Sequence, residues 1–203
     1  MRLYHSAFAP NARRVRMFLA EKGIEIALVP VDLAKMEQRD ADFSAKNPFQ
    51  IVPALELDDG SVITESIAIC RYLEDLHPAP ALFGTNARER AEVEMWQRLA
   101  EFQLLLPIAM TFRHTHPAMR EMENPQIGDW AEVNRARALT SMRRFDAALA
   151  SRRHLAGDRF SVADITGLIA MDFTKSARIA IPPELTHLHR WRDEIAARPS
   201  ARA

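Results

Sequence analysis

Apolar and polar positions in the first third of the chain switch between a two-residue repeat and a helical one. Residues 2–5 (RLYH) show the short alternation of a strand. From Asn11, the apolar positions Val15, Phe18 and Leu19 recur at helical spacing until Gly23, a residue suited to the left-handed conformation that closes a helix. Residues 26–32 then read as a second strand. A strand, a helix and a strand within about 30 residues predict a βαβ unit, with parallel strands and a right-handed crossover. After a short helical piece at 41–45, apolar runs at 54–57 and 61–63 flank Asp58-Asp59-Gly60, the composition of a hairpin turn. Residues 65–76 follow as a helix that buries Ile67, Ile69, Cys70 and Leu73. Beyond about residue 86 the period is helical throughout, which predicts helices near 87–117, 129–152, 161–177 and 184–197.

This order predicts an α+β chain. A βαβ unit followed by ββα makes a small mixed four-stranded sheet with helices, the thioredoxin-like layout, over residues 1–76. His77-Pro78-Ala79-Pro80-Ala81 cannot continue a helix, because proline lacks the amide donor and restricts the residue before it. Residues 77–86 therefore read as a linker and 87–203 as an all-helical domain. Within that domain Ser161 and Asp164 have the spacing of a capping box, with Phe160 and Ile165 at the staple positions, so Asp164 reads as a structural cap and not as a catalytic acid.

Composition removes several function classes. Lys plus Arg is 27 and Asp plus Glu is 27, so no net field draws in nucleic acid or an anionic membrane. The 6 glycines are all isolated, and neither a dinucleotide fingerprint nor a phosphate loop can be built from them. No nucleotide cofactor is expected. Cys70 is the one cysteine, which excludes an internal disulfide and a Cys-rich metal site, suits a reducing cytoplasmic compartment, and reads as a packing residue. No apolar run is long enough to span a bilayer, and none follows Arg2 as a signal peptide would require. His114 and His116 are two apart and do not share a helix face, so no metal site is expected there.

Candidate chemistry concentrates in two places. In Asn47-Pro48-Phe49-Gln50-Ile51-Val52-Pro53, a proline directly before a strand of this layout is either an ordinary trans bond or a cis bond that turns the Val52 backbone outward. An outward backbone could pair with an extended peptide as an added strand does. At Glu65-Ser66 a strand passes into a helix, so a hydroxyl, free amides and the positive end of the helix dipole converge on one spot. That spot suits a carboxylate and Glu65 an ammonium group, together the end of an amino acid; simple helix capping is the other reading.

LYHSAFAPNARRVRMFLAEKGI, NPFQIVPALELDDG, TESIAICRYL and AGDRFSVADI, in this order, resemble the cytosolic glutathione transferases across essentially the whole chain. The resemblance implies a glutathione-binding first domain, a helical second domain that shapes the pocket for a small hydrophobic electrophile, and a homodimer. Glutathione would be a co-substrate, and no metal is implied. Val52 would pair with its cysteinyl backbone, Pro53 would be cis, and Glu65 and Ser66 would hold the γ-glutamyl end. Gln38 matches the position that reaches the glycine carboxylate. Gln50 stands where glycine is often found.

The catalytic position departs from the pattern. Related transferases place a serine near the start of the first helix, and the matching residue here is Ala9, which has no hydroxyl to donate. Tyr4 lies inside the first strand and Ser6 about one turn of chain too early. Asn11 does match: some bacterial transferases carry Pro-Asn here and use the amide near sulfur. The segment APNARRVRMFLAEKGI also resembles a fungal and bacterial branch that lacks the usual Ser, Tyr or Cys. Arg13 reads as a further residue of the glutathione site, whereas Arg14 and Arg16 read as a solvated face. Phe8, Phe112, Arg113 and His114 are candidates for the electrophile pocket, with His114 either orienting a water or lying at the surface near a helix end. The function these features predict is a glutathione transferase acting through an activated bound thiol. A glutathione-dependent disulfide reductase and a non-catalytic binding protein of the same fold are the alternatives.

Overall fold

The computed structural model describes residues 1–203, which form two compact units: Met1–Ala81 together with Pro199–Ala203, and Leu82–Arg198. In the first unit, strand β1 (Arg2–His5), helix α1 (Pro10–Lys22), strand β2 (Ala27–Pro30), helix α2 (Ala41–Lys46), strands β3 (Ala54–Glu56) and β4 (Val62–Thr64) and helix α3 (Ser66–Leu76) follow in order. The sheet order is β2-β1-β3-β4, with β1 parallel to β2 and antiparallel to β3, and β3 antiparallel to β4. This is the mixed sheet that βαβ followed by ββα predicts. Leu3 sits opposite Leu55 and Tyr4 opposite Ala54, so the two-residue period sends these pairs to opposite faces. On the Tyr4 face, Val31, Phe43, Val52 and Ala54 form a buried cluster against which Tyr4 and Ala9 pack. Gly23 closes α1 in the left-handed conformation at φ 64. Pro199–Ala203 lies along α1, where Ala201 O accepts from Arg13 Nη2 at 2.8 Å and Ser200 Oγ donates to Glu21.

At the edge of the Tyr4 face, Glu56 accepts from Tyr4 Oη at 2.7 Å and from Arg2 Nη2 at 2.9 Å, with Lys46 Nζ at 3.3 Å. The Tyr4 hydroxyl, and then Arg2 and Lys46, hold the Glu56 carboxyl down at about 2, against an ordinary 4.5. A carboxyl depressed in the folded state contributes stability above its unfolded value and loses it as pH falls through the folded one. Glu56→Gln is therefore expected to flatten the loss of stability between about pH 4.5 and about pH 2, read as urea midpoints across that window. An unchanged slope would remove Glu56 from the account of acid sensitivity.

In the second unit, α4 (Ala87–Leu99), a π-helical segment (Ala100–Leu105), α5 (Leu106–Thr115), α6 (Gly128–Leu149), α7 (Val162–Phe173) and α8 (Thr186–Ala196) pack around α7. The sequence predicts one helix over 87–117, and the π turn interrupts it just ahead of Pro107. Proline has no N–H and crowds the carbonyl four residues back, which a widened turn relieves. The capping box forms as expected, with Ser161 N donating to Asp164 Oδ2 at 3.0 Å. Asp164 Oδ1 accepts in addition from Leu155 N at 2.9 Å and from the Trp191 indole at 2.8 Å. Gly167 is required beside that indole, because a Cβ there would lie 2.7 Å from the Trp191 ring.

Candidate active site

Three chain segments of the first unit carry the candidate site. The first is the loop from β1 into α1. Ala9 occupies the N-cap of α1 without a side-chain cap, and Pro10 follows at the first helical position. The amides of Asn11 and Ala12 lie in the first turn, where a helix offers its own N–H groups no acceptor. The Asn11 side chain is exposed beside them. Ser6 O accepts from Ala9 N at 3.3 Å, and the N–H groups of Ala7 and Phe8 donate to no backbone carbonyl. Phe8 is 96% exposed at the tip of this loop.

The second segment leads into β3. Asn47 is fully buried, accepts from Phe49 N at 3.1 Å and donates to Ile51 O at 2.8 Å, so its side chain shapes the loop from within. Gln50 takes the left-handed φ of 57 that glycine would adopt easily, and its Nε2 is tied to Ser44 Oγ at 3.0 Å. The Val52-Pro53 bond is cis. Neither the N–H nor the C=O of Val52 pairs with another backbone group of the protein. Val52 belongs to the buried cluster against which Ala9, at the start of α1, packs. Gln38, in the turn before α2, is buried with Nε2 at 3.6 Å from Met36 Sδ and Oε1 lacking a hydrogen-bond partner.

The third segment is the start of α3. Glu65 is exposed and precedes the helix at φ 64 and ψ 117, a conformation costing a non-glycine residue about 1–3 kcal/mol. Ser66 is buried and accepts from Arg14 Nη1 at 2.8 Å. A hydroxyl that accepts from a guanidinium has its proton left to donate, and the cation adds to the positive end of α3. The corner thus suits an anion.

The arginines of α1 are not a solvated face. Arg14 is 1% exposed and lies on the same stripe as Val15, Phe18 and Leu19. Arg16 is partly buried and clasps the first loop: Nη1 lies 3.1 Å from His5 Nδ1 and 3.2 Å from Ser6 O, and Nη2 lies 3.0 Å from Ala7 O. Burial and then the Arg16 charge push the His5 imidazole down, which keeps it neutral and able to accept. The helical period could have flagged Arg14, which falls on the apolar stripe; Arg16 carries no such signal. Tyr4 has its hydroxyl committed to Glu56, and burial first, then Glu56, raises its pKa. Burial pushes the Cys70 thiol up to about 12, as a packing cysteine requires. No group of three His, Cys, Asp or Glu side chains converges as a metal site.

The other candidates belong to the second unit. Phe112 stacks on His116 at 4.7 Å between ring centroids and meets Phe173 at 5.0 Å. Arg113 pairs with Glu123 and donates to Met122 O. His114 is buried, not a surface residue: Nδ1 accepts from Ile127 N at 3.1 Å and Nε2 lies 3.6 Å from Glu123. Both side chains hold the segment between α5 and α6.

Comparison with known proteins bears on the whole chain. Residues 8–76 match the family model for the glutathione S-transferase N-terminal domain, and residues 111–199 the model for the C-terminal domain. Glutathione S-transferase 2 of Saccharomyces cerevisiae is 36% identical over 205 residues, covering 100% of this chain and 88% of the relative. Glutathione S-transferase 3 of Zea mays is 31% identical, covering 98% and 90%. Among solved structures, a glutathione S-transferase domain-containing protein from Marinobacter aquaeolei VT8 is 41% identical with a TM-score of 0.95, covering 98% of this chain and 99% of that one. Gtt2 of Saccharomyces cerevisiae is 36% identical with a TM-score of 0.94, covering 100% and 99%. The two family models cover most of the chain and the relatives align over its full length, so the chain belongs to the glutathione S-transferase family.

Proposed function

We propose that the enzyme binds glutathione on the first unit, lowers the pKa of its thiol, and transfers the thiolate to a small hydrophobic electrophile recognised by the second unit. The proton leaves to solvent, sulfur forms a bond to carbon, and a leaving group departs with the electron pair. Val52 pairs with the cysteinyl backbone, Glu65 and Ser66 hold the γ-glutamyl ammonium and carboxylate, Gln38 reaches the remaining carboxylate, and Arg13 adds to the positive potential that the tripeptide anion meets. The observation that carries this reading is the start of α1: open amides at Asn11 and Ala12 beneath an N-cap without a hydroxyl, Ala9, which packs against the buried cluster that includes Val52. Moving a thiol pKa from about 8.5 to about 6.5 takes roughly 2.7 kcal/mol of preference for the anion. A partly buried helix N-terminus supplies up to about 2, and one hydrogen bond to the charged sulfur about 1.5–3. The two together suffice without a serine or tyrosine.

Within the second unit Phe112 is assigned to electrophile binding, with the Phe112–His116 stack offering an aromatic face, while Arg113 and His114 brace the segment behind it. Family membership supports a homodimer. A lone unpaired cysteine supports a reducing, cytoplasmic setting, and family membership supports a role in detoxification. Turnover of glutathione with an aryl halide, beside reduction of a mixed disulfide, tests the reaction type. Faster aryl transfer supports the proposal, and disulfide reduction alone would replace it with a reductase. Asn11→Ala is expected to lower kcat/KM about 10-fold near neutral pH, with the deficit closing at higher pH as the thiol ionises unaided. A profile equal to wild type at every pH would leave the work to the backbone amides and water.

A further inference from the structure

The guanidinium of Arg16 is spent on the backbone of the loop that enters α1. It donates to Ser6 O at 3.2 Å and Ala7 O at 3.0 Å, and Nη1 also meets His5 Nδ1 at 3.1 Å. The peptide bonds that carry those carbonyls are trans, and in a planar trans peptide the N–H points opposite to the C=O. Turning the Ser6 and Ala7 carbonyls toward Arg16 therefore turns the Ala7 and Phe8 N–H groups away from it. Those two amides donate to no backbone carbonyl. Two successive open amides just before an uncapped helix N-terminus make a concave set of donors of the kind that holds anions. We propose that Arg16 is a positioning residue for thiol activation, which aims the Ala7 and Phe8 amides at the glutathione sulfur in place of the missing hydroxyl. The inference rests on the function proposed above.

Alternative uses of Arg16 fit less well. It makes none of the contacts with a carboxylate that a structural ion pair would need; its recorded partners are two carbonyls and a neutral imidazole. The charged and titratable groups around it are His5 on β1 and Arg13 one turn earlier on α1. Neither neutralises it. Burial and Arg13 both work against the cation, so its retention calls for the carbonyl contacts it makes.

The test is a titration of the bound thiol by its ultraviolet thiolate absorbance in wild type, Arg16→Gln and Arg16→Lys, with binding of S-methylglutathione as a readout that has no thiol to ionise. The expected result is a thiol about 10-fold less acidic in Arg16→Gln, partial recovery in Arg16→Lys, and S-methylglutathione affinity within about twofold of wild type. An acidic wild-type thiol that stays equally acidic in Arg16→Gln overturns this inference alone; a wild-type thiol no more acidic than free glutathione overturns the proposed function. Equal losses in thiol acidity and in S-methylglutathione affinity would make Arg16 a general structural brace and overturn the positioning role. Should Arg16→Gln not fold, wild type decides by NMR: the Ala7 and Phe8 amide protons are expected to move with the thiol's titration, and resonances that stay still overturn the proposal.

Discussion

Asp164→Ala is expected to cost the second unit about 3–5 kcal/mol, a large fraction of the stability of about 5–15 kcal/mol that an ordinary domain has. Asp164 is fully buried, and its carboxylate accepts from Leu155 N, from the Ser161 N–H and hydroxyl, and from the Trp191 indole. Truncation leaves these buried donors without an acceptor, and each such orphan costs about 1–3 kcal/mol. It also disconnects three elements at once: the turn at Leu155, the start of α7 and helix α8. Burial pushes the Asp164 carboxyl up in pKa while its donors and His154 hold it down, so the same donors make the buried anion tolerable. All three tryptophans lie in this unit, which makes indole fluorescence during urea unfolding a direct readout. A midpoint within error of wild type would show that packing alone holds α7 and α8 together.

Ser66→Ala is expected to weaken glutathione binding about 10- to 100-fold, equivalent to about 1.4–2.8 kcal/mol. The hydroxyl stands between the buried Arg14 cation and the proposed site of the γ-glutamyl carboxylate. Its loss removes a hydrogen bond to a charged group and takes from Arg14 the oxygen it donates to. Because the γ-glutamyl end does not change during sulfur transfer, the defect is uniform binding: KM for glutathione rises while kcat at saturation holds. Calorimetric titration with S-methylglutathione separates this from any effect on the thiol. Unaltered affinity would return Ser66 to the role of a helix-start residue and place the carboxylate elsewhere.

The folding pattern was largely legible because its signals are local. Period-2 runs, a terminal glycine and an Asp-Asp-Gly turn placed all four strands and the first-unit helices to within a few residues. The capping box at Ser161 and Asp164 was legible for the same reason, since its partners are three residues apart. Trp191 and Leu155 as further partners of Asp164 were not, because nothing in a local spacing announces a contact 27 residues away. Arg14 and Arg16 were misread because charge suggests solvent: the apolar stripe of α1 could have flagged Arg14, whereas for Arg16 only its tertiary partners, the Ser6 and Ala7 carbonyls, explain its partial burial. The cis bond at Val52-Pro53 came through family resemblance, since an isolated X-Pro pair is far more often trans. His114 shows a further limit. Its position near a helix end left a water-orienting role and a surface residue as alternatives, and the structure instead buries it with a loop amide from Ile127 on its ring.

Thiol activation without a hydroxyl is the claim on which the enzymology depends, and a spectrophotometric pH titration of glutathione saturating the wild-type enzyme measures it. Open amides at the head of α1 call for half-ionisation near about pH 6.5, where the unbound thiol requires about 8.5. A bound thiol that ionises at the unbound value would contradict the account, even with glutathione seated on Val52 and Ser66.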